Sequence, residues 1–272
     1  MERSNYVFAD REDEQHRLER QAELFDPLTE RVFRAAGLGP GMRVLDLGSG
    51  AGDVAMLAAR LVGSDGEVVG VERDPDAVAA AKVRVERAGL SNVRFVQGDV
   101  QTLDGIEGGL DAVVGRLVLM YLRDPVAALA RAAQLLRPGG LVCVQEGDMA
   151  YDWAEPMTPL WKQVRGWFLE TLTRARVAPR MGLSLYSSFV ASGLPAPELQ
   201  LECAVGGGAK AAAWGWANVV RGVLPLMERL RVTTTADLQP DTLAERLLRD
   251  VLAADGIVIG PPLVGAWVHT AA

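Results

Sequence analysis

The residues best placed to do chemistry form the stretch Asp46-Leu47-Gly48-Ser49-Gly50-Ala51-Gly52, in which an acid ends an apolar run and three glycines follow at alternate positions. Glycine at every second position disfavours both helix and strand, so the backbone there comes close to something that side chains would obstruct. Backbone N–H groups at the start of a helix favour a carboxylate or a phosphate. The stretch therefore predicts a turn that binds a ligand.

A dinucleotide is one candidate for that ligand. Its fingerprint, G-x-G-x-x-G, places the third glycine on Asp53 when counted from Gly48, and on Ala55 when counted from Gly50. The second count is a tolerated but weaker match. An NAD-dependent oxidoreductase therefore stays open as an alternative, although the glycine spacing opposes it.

The elements around the turn alternate between strand and helix from residue 43 to residue 146. Near-continuous apolar strands are predicted in "RVLDLG", "GEVVGVE", "NVRFVQGD", "DAVVGRLVLMYL" and "LVCVQEGD". Asp74-Pro75 and Asp124-Pro125 are typical helix starts, and Pro138-Gly139-Gly140 predicts a helix stop. This pattern predicts a parallel sheet covered on both faces, with its ligand at the carboxyl ends of the strands.

An acid followed by x-G-x-G-x-G at the end of the first strand resembles the first motif of the class I S-adenosylmethionine-dependent methyltransferases. The resemblance covers residues 40 to 150 well and the final strands loosely. It implies an α/β fold with a Rossmann-like, seven-stranded sheet and helices on both faces. It also implies S-adenosylmethionine as cofactor and S-adenosylhomocysteine as product.

The resemblance assigns the cofactor-binding residues. Glu72 is expected to accept hydrogen bonds from the ribose hydroxyls and Asp99 from the adenine amino group. Asp46 is expected to hold the loop through its amides and to lie near the cofactor's ammonium group. The full set is Asp46, Gly48, Ser49, Gly50, Gly52, Glu72, Arg73, Asp99, Val100, Gly115, Arg116, Leu117 and Tyr121.

Three domains follow from the same resemblance. Residues 1–40 are expected to form an N-terminal helical lid, and residues 41–150 the S-adenosylmethionine-binding core. In residues 151–272 the strand and helix alternation is lost, although "PELQLECAV" and "PLVGAWVHT" still favour strands. We expect these two segments to complete the sheet, and the helices between them to form the pocket of the methyl acceptor.

Catalytic groups are less well determined by the sequence. Methyl transfer depends mainly on orientation, and a base is needed only for some acceptors, such as a hydroxyl. His16, on the N-terminal helical segment, and Asp148, after the fifth strand, are the candidate catalytic residues; Glu146 and Asp152 are further candidate bases. His269, at the end of the last strand, is expected to be structural or solvated. No metal site is predicted, since Cys143 and Cys203 lack partners at ligand spacing and are expected to be buried in strands.

Composition narrows the substrate class. The formal net charge is −7 and no basic patch is present, which argues against nucleic acid. Tryptophans are concentrated after residue 150, and a helix core or a pocket for a flat, apolar acceptor explains them. We therefore expect a small organic acceptor, with O-methylation in secondary metabolism as the first hypothesis and N- and C-methylation open. A cyclisation or rearrangement that uses no methyl transfer is a further alternative.

Targeting signals are not apparent. The first 20 residues are polar and charged, and no apolar window is long enough to cross a membrane. We therefore expect a cytoplasmic protein that binds no membrane, and we consider a homodimer plausible.

Overall fold

The computed structural model describes residues 24–208, 210–211 and 215–271. The α-helices of the described residues are α1 (residues 24–35), α2 (Asp53–Val62), α3 (Pro75–Arg87), α4 (Pro125–Ala133), α5 (Pro159–Arg174), α6 (Met181–Ala191), α7 (Trp216–Arg229), α8 (Thr235–Leu238) and α9 (Pro240–Ala253). The strands are β1 (Arg43–Leu47), β2 (Glu67–Glu72), β3 (Val93–Gln97), β4 (Leu110–Arg116), β5 (Leu136–Gly147), β6 (Ala154–Glu155), β7 (Glu198–Glu202), β8 (Val205–Gly207), β9 (Ile257–Ile259) and β10 (Leu263–His269). A 3₁₀ turn covers Leu119–Tyr121.

Seven of these strands form one sheet in the order β3-β2-β1-β4-β5-β10-β7. β1 runs parallel to β2 and β4, and β3 and β5 extend the parallel pairing on either side. The predicted α/β fold with a seven-stranded sheet is confirmed, and both late strands belong to it. Since the strand order reverses beside β1, a crevice is expected at the carboxyl ends of β1 and β4.

The helix starts follow from local chemistry. The Asp74 carboxylate accepts a hydrogen bond from the Asp76 amide at 3.0 Å, and Asp124 accepts one from the Ala127 amide at 2.9 Å. Each aspartate thereby satisfies a backbone donor that the first turn of a helix leaves free, and each is followed by a proline that needs no such partner. Both predicted helix starts are confirmed.

Three boundaries differ from the sequence-based expectation. Helix α4 ends at Ala133, and Pro138-Gly139-Gly140 lies inside β5, where the register with β4 shifts between Leu110 and Ala112. Strand β4 ends at Arg116 because Leu117 has a left-handed backbone, with φ of 54°. Cys203 lies one residue beyond β7 and is partly exposed, whereas Cys143 is buried in β5 as expected.

Helix α1 is anchored to the apolar core. Val32 and Phe33 are fully buried. A Cβ at Gly265 of β10 would lie 2.5 Å from Cγ1 of Val32, so the missing side chain lets the helix approach the strand closely. His269, at the far end of β10, is exposed and its Nδ1 lies 3.3 Å from the Gly139 carbonyl oxygen.

Two compact units divide the chain. The sheet unit comprises Phe25–Glu146, Met181–Leu201 and the chain from Val264 onward, and the insert unit comprises mainly Gly147–Arg180 and Glu202–Leu263. In the insert unit α5, α7 and α9 pack on one another, and β6, β9 and β8 form a small antiparallel sheet. None of the helices within the described ranges is long and apolar enough to cross a bilayer.

Candidate active site

The glycine turn between β1 and α2 is shaped by close contacts on two of its glycines. A Cβ at Gly48 would lie 2.5 Å from Cγ2 of Val118, and one at Gly52 would lie 2.9 Å from the Phe95 ring. Gly48, Gly50 and Gly52 all have positive φ, which side chains rarely tolerate. A Cβ at Gly50 would meet nothing within 4 Å, so this glycine borders open space. That open space is where a ligand can lie against the backbone.

Glu72, at the end of β2, connects the turn to the neighbouring strand. Its Oε2 accepts a hydrogen bond from the Gly50 amide at 3.0 Å, and its Oε1 accepts from the amides of Arg73 and Asp74 at 2.8 and 3.0 Å. A carboxylate has about four acceptor positions, and these amides use three of them. One acceptor position is left. Two ribose hydroxyls can therefore donate to Glu72 only if at least one of the hydrogen bonds from the backbone amides is broken.

Asp46 is enclosed at the end of β1, with 1% of its surface exposed. Neither carboxylate oxygen has a hydrogen-bond partner among the described residues, and the Ser49 hydroxyl beside it has none either. Burial raises the pKa of Asp46 well above its usual range, and the Arg116 charge only partly opposes this. The Gly50 amide donates to Glu72 at the end of β2. The expected hold of Asp46 on the loop amides stays a prediction.

These unpartnered groups provide a test of the cofactor. A buried carboxylate and a buried hydroxyl without partners need hydrogen-bond donors or a positive charge. S-adenosylmethionine carries both, in its ammonium group and its hydroxyls. The residues at the end of β1 therefore fit this cofactor.

Asp99 and Val100 follow β3. Asp99 is exposed, and its Oδ1 accepts a hydrogen bond from the Gln101 amide at 2.8 Å. Val100 is buried. Both lie at the carboxyl edge of the sheet, two and three residues beyond the last residue of β3. Their adenine contacts, like the predicted role of the exposed Arg73, stay predictions.

The end of β4 carries the remaining predicted contacts. A Cβ at Gly115 would lie 3.1 Å from Cγ1 of Val118, and Leu117 bonds through its amide to the Gln145 carbonyl at 2.9 Å. Tyr121 is partly exposed in the 3₁₀ turn. Val118, which contacts the glycine turn, was missed by the sequence analysis because nothing in its local sequence marks it.

The Arg116 guanidinium is bound to α1. Its Nη1 lies 3.1 Å from Oδ1 of Asp26 and donates to the Thr29 hydroxyl at 2.9 Å. The Thr29 hydroxyl in turn donates to Oε1 of Gln145 at 2.7 Å. Arg116 thus links β4 to the helix, and its predicted contact with the cofactor stays a prediction.

Glu146, the last sheet-unit residue of β5, is fully buried beside the same segment. Its Oε1 accepts hydrogen bonds from the amides of Val118 and Leu119, at 2.8 and 2.6 Å. Its Oε2 has no partner among the described residues. Burial raises the pKa of this carboxyl to about 7, although the hydrogen bonds from the backbone amides lower it.

Of the two candidate catalytic residues, one lies within the described residues and one does not. His16 lies outside the described residues. Asp148, in the insert unit, is buried, and its Oδ1 accepts a hydrogen bond from the Ala150 amide at 3.0 Å and lies 3.8 Å from Arg180. Asp152 is exposed and lies 3.8 Å from Arg165. The catalytic role of Asp148 stays a prediction.

The tryptophans of the insert unit form a packed core. The rings of Trp153 and Trp216 stack at 3.7 Å and 7°, and Phe168 meets Trp153 edge-on at 5.3 Å. The indole N–H of Trp153 donates to the Met149 carbonyl, and that of the buried Trp161 to the Leu247 carbonyl. The helix-core alternative therefore explains Trp153, Trp161 and Trp216, which are buried. Trp167, on α5, is half-buried, and its role in an acceptor pocket stays a prediction. Trp214 lies outside the described residues.

No group of three or more histidine, cysteine or acidic side chains is placed to hold a metal ion in the part of the chain that the structure describes. The two cysteines of the chain occupy different units, Cys143 in the sheet unit and Cys203 in the insert unit.

Comparison with known proteins places this site in a family. A family model described as "methyltransferase domain" matches residues 38–175, just over half of the chain. An arsenite methyltransferase of Halobacterium salinarum is 34% identical over 111 residues, which is 41% of this chain and 28% of the relative. Aklanonic acid methyltransferase DauC of Streptomyces sp. is 34% identical over 120 residues, which is 44% of this chain and 54% of the relative.

The chain therefore spans about a quarter to a little over half of the length of these curated relatives. The crystal structure of YcgJ from Bacillus subtilis superimposes with a TM-score of 0.59, over 92% of this chain and 99% of that one, at 17% identity. At that identity the likeness shows the fold. Together with the glycine turn, the sheet order and the matched domain, it establishes that the chain belongs to the class I S-adenosylmethionine-dependent methyltransferases.

Proposed function

We propose that this protein transfers the methyl group of S-adenosylmethionine to a small organic acceptor. The observation that carries the proposal is the turn at the end of β1, where an open-faced Gly50 adjoins Glu72 and the unpartnered Asp46 and Ser49. These residues supply a backbone surface, a carboxylate for hydroxyls and a buried negative site for an ammonium group. Their combination at one sheet edge supports the family's cofactor.

The cofactor supplies an activated methyl group, so this chain's own residues have to orient the reactants and exclude water. Orientation alone contributes up to about 7 to 11 kcal/mol to a displacement reaction. Glu72 and the glycine turn fix one reactant against β1 and β2. If the acceptor is a hydroxyl, a base must also take its proton, and Asp148 is the proposed base.

The acceptor is proposed to be organic rather than a thiophilic ion. Soft ions bind thiolate ligands, and this chain has only two cysteines. Cys143 is fully buried, and burial raises the pKa of its thiol far above the usual range, so it is a poor source of thiolate. The name of the Streptomyces relative gives aklanonic acid, an organic compound, as its substrate. An acceptor of that class fits this chain better than arsenite does.

For the type of methylation, the roles of the chain segments, the location and the oligomeric state, we propose what the sequence predicts. O-methylation of an apolar compound in secondary metabolism is the first hypothesis. Residues 1–40 are proposed to form a lid, and residues 151–272 to form the acceptor pocket. The proposed location is the cytoplasm. A homodimer is supported by exposed apolar side chains on α6, where Leu183, Tyr186 and Val190 are each at least half exposed.

The test is a parallel calorimetric titration with S-adenosylmethionine, S-adenosylhomocysteine and NADH, followed by incubation with labelled cofactor and a panel of hydroxylated organic compounds. Micromolar binding of both sulfur nucleotides, and a product that has gained one methyl group, are the expected results. Binding of NADH alone contradicts the cofactor assignment. Conversion of an acceptor to a product of unchanged mass contradicts methyl transfer.

A further inference from the structure

We propose that Glu146 is a positioning residue of the cofactor site: its carboxylate holds the backbone at Val118 and Leu119, and through Val118 it fixes the glycine turn. The inference rests on the proposed function, since it takes that turn as the cofactor site. Glu146 is not among the cofactor-binding residues that the sequence assigns.

The first step in this connection is the capping of the 3₁₀ turn. Oε1 of Glu146 accepts hydrogen bonds from Val118 N at 2.8 Å and Leu119 N at 2.6 Å. Amides at the start of a helical turn have no partner within the turn, and no local side chain caps this one. A carboxylate 27 or 28 positions away therefore does so, and it ties the end of β5 to the segment after β4.

The second step runs from Val118 to the glycine turn. A Cβ at Gly48 would lie only 2.5 Å from Cγ2 of Val118, so the valine side chain packs directly on the turn. Leu117, just before it, has the left-handed backbone that side chains disfavour and is held through its amide by the Gln145 carbonyl. Two consecutive residues of β5 thus hold the segment that packs against Gly48.

The Glu146 carboxyl changes its charge in the neutral range. Burial raises its pKa to about 7, while the amides of Leu119 and Val118 oppose the shift. A second titratable group borders the same turn: Asp46, at the end of β1, is buried without a hydrogen-bond partner among the described residues, and burial raises its pKa as well. The other flanking charges are engaged elsewhere among the described residues. On β4, Arg116 pairs with Asp26; beyond the end of β5, Asp148 binds the Ala150 amide and neighbours Arg180; and on β10, His269 lies beside Gly139 at the opposite end of β5.

An ionised carboxylate is the stronger acceptor for backbone amides. The segment at Val118 is therefore held best when Glu146 is charged, and the cofactor is expected to bind that form more tightly. By linkage, cofactor binding then releases a proton from the protein near pH 7.

The experiment is a calorimetric titration with S-adenosylhomocysteine at pH 6, 7 and 8 in buffers of different ionisation enthalpy. For the wild type we expect affinity to fall about tenfold from pH 8 to pH 6, with proton release at pH 7. Glu146→Gln retains an acceptor oxygen but cannot ionise, so its affinity is expected to depend on pH less than that of the wild type, with less proton release at pH 7. The pH dependence that remains comes from Asp46. Glu245→Gln, which removes an exposed charge on α9, is the control and is expected to follow the wild type.

A Glu146→Gln protein with the same pH dependence and proton release as the wild type overturns the proposal. Val118→Ala tests the second step with the carboxyl intact, and it is expected to lose most of the pH dependence. A Val118→Ala protein with the wild-type slope overturns the connection through Val118.

Failure of the proposed function gives a different result. A wild type that binds no S-adenosylhomocysteine at any pH contradicts the cofactor assignment, and the hold on the backbone is then tested without ligand. NMR titration of the Val118 and Leu119 amide protons is expected to show a midpoint near pH 7 that Glu146→Gln abolishes. Amide resonances that do not respond to pH in this range overturn the proposal.

Discussion

The Glu72 carboxylate binds backbone amides both of the glycine turn and of the segment that follows β2. Its two oxygens accept three backbone amides, from Gly50, Arg73 and Asp74. Both oxygens are used, so an amide side chain at this position would turn its NH₂ group towards at least one backbone donor. The position therefore requires a carboxylate for the turn, and the predicted ribose contact requires one as well.

The first prediction concerns this residue. Glu72→Gln is expected to weaken binding of S-adenosylhomocysteine by about 10- to 100-fold, since a hydrogen bond to a charged group contributes about 1.5–3 kcal/mol. Isothermal calorimetry measures the effect. Glu67→Gln, at the other end of the same strand, removes an exposed ion pair with Arg94 and is expected to leave affinity unchanged. Wild-type affinity in Glu72→Gln contradicts the ribose assignment.

The sequence predicted the turn and Glu72 because each is recognisable within a few neighbouring residues: glycines at alternate positions, and an acid at the end of an apolar strand. It did not predict how Glu146 and Arg116 are bound, because their partners lie 27 to 90 positions away in the chain. Such pairings depend on register and helix placement. The Gly50 amide shows the same limit, since its place in the turn was predicted and its acceptor, Glu72, lies 22 positions away.

At the scale of elements, α1 is joined to the sheet by a buried polar chain as well as by its apolar face. The chain runs from Asp26 through Arg116 and Thr29 to Gln145. Thr29 is fully buried, and its hydroxyl accepts a hydrogen bond from Arg116 and donates one to Gln145. Loss of its hydroxyl leaves the polar groups of both neighbours without that partner.

Thr29→Val keeps the shape of the side chain and removes the hydroxyl, so we expect the free energy of unfolding to fall by about 2 to 3 kcal/mol. Urea denaturation followed by circular dichroism measures the change. Thr173→Val is a matched control on α5, where the exposed hydroxyl bonds only within its own helix, to the Leu169 carbonyl. The proposed link between α1 and the sheet fails if the two variants lose equal stability.

Element boundaries show where local sequence is sufficient. The starts of α3 and α4 were predicted because an aspartate and a proline act within one turn. The end of α4 was placed too late, since Pro138-Gly139-Gly140 is a typical helix stop but here forms part of a strand that pairs with β4. Sheet pairing outweighed the local preference, and the left-handed Leu117 ended β4 earlier than its apolar run indicated.

For the whole molecule, the buried carboxyls of Asp46 and Glu146 contribute to the change of stability with pH. The pKa of each is raised by burial, Glu146 from 4.5 to about 7. A group of this kind contributes stability that is complete below its unfolded pKa and is lost as the pH rises through its folded pKa. Asp111, whose pKa is lowered by hydrogen bonds from Arg43 and Arg137, has the opposite effect, but only in more acidic solution.

We therefore expect the free energy of unfolding to fall as the pH rises from 5 to 8, with Glu146 accounting for about 3 kcal/mol of the change. Urea titrations at pH 5, 6, 7 and 8 measure it. Glu146→Gln is expected to make the profile less steep, with the contribution of Asp46 remaining, while Glu245→Gln leaves the profile unchanged. A profile in Glu146→Gln that is as steep as that of the wild type, or steeper, is the contrary result. Together with the proposed positioning role, this means that conditions favouring cofactor binding are those in which the folded state is less stable.

The order β5-β10-β7 at one side of the sheet has a consequence for protein synthesis. Strand β10 is synthesised after the other described strands, yet it lies between two strands made much earlier. Until residues 263–269 emerge, β5 presents an unpaired edge and β7 lacks its neighbour in the sheet. An unpaired apolar edge favours association with other chains, so we expect nascent copies to be prone to such association until β10 has been synthesised.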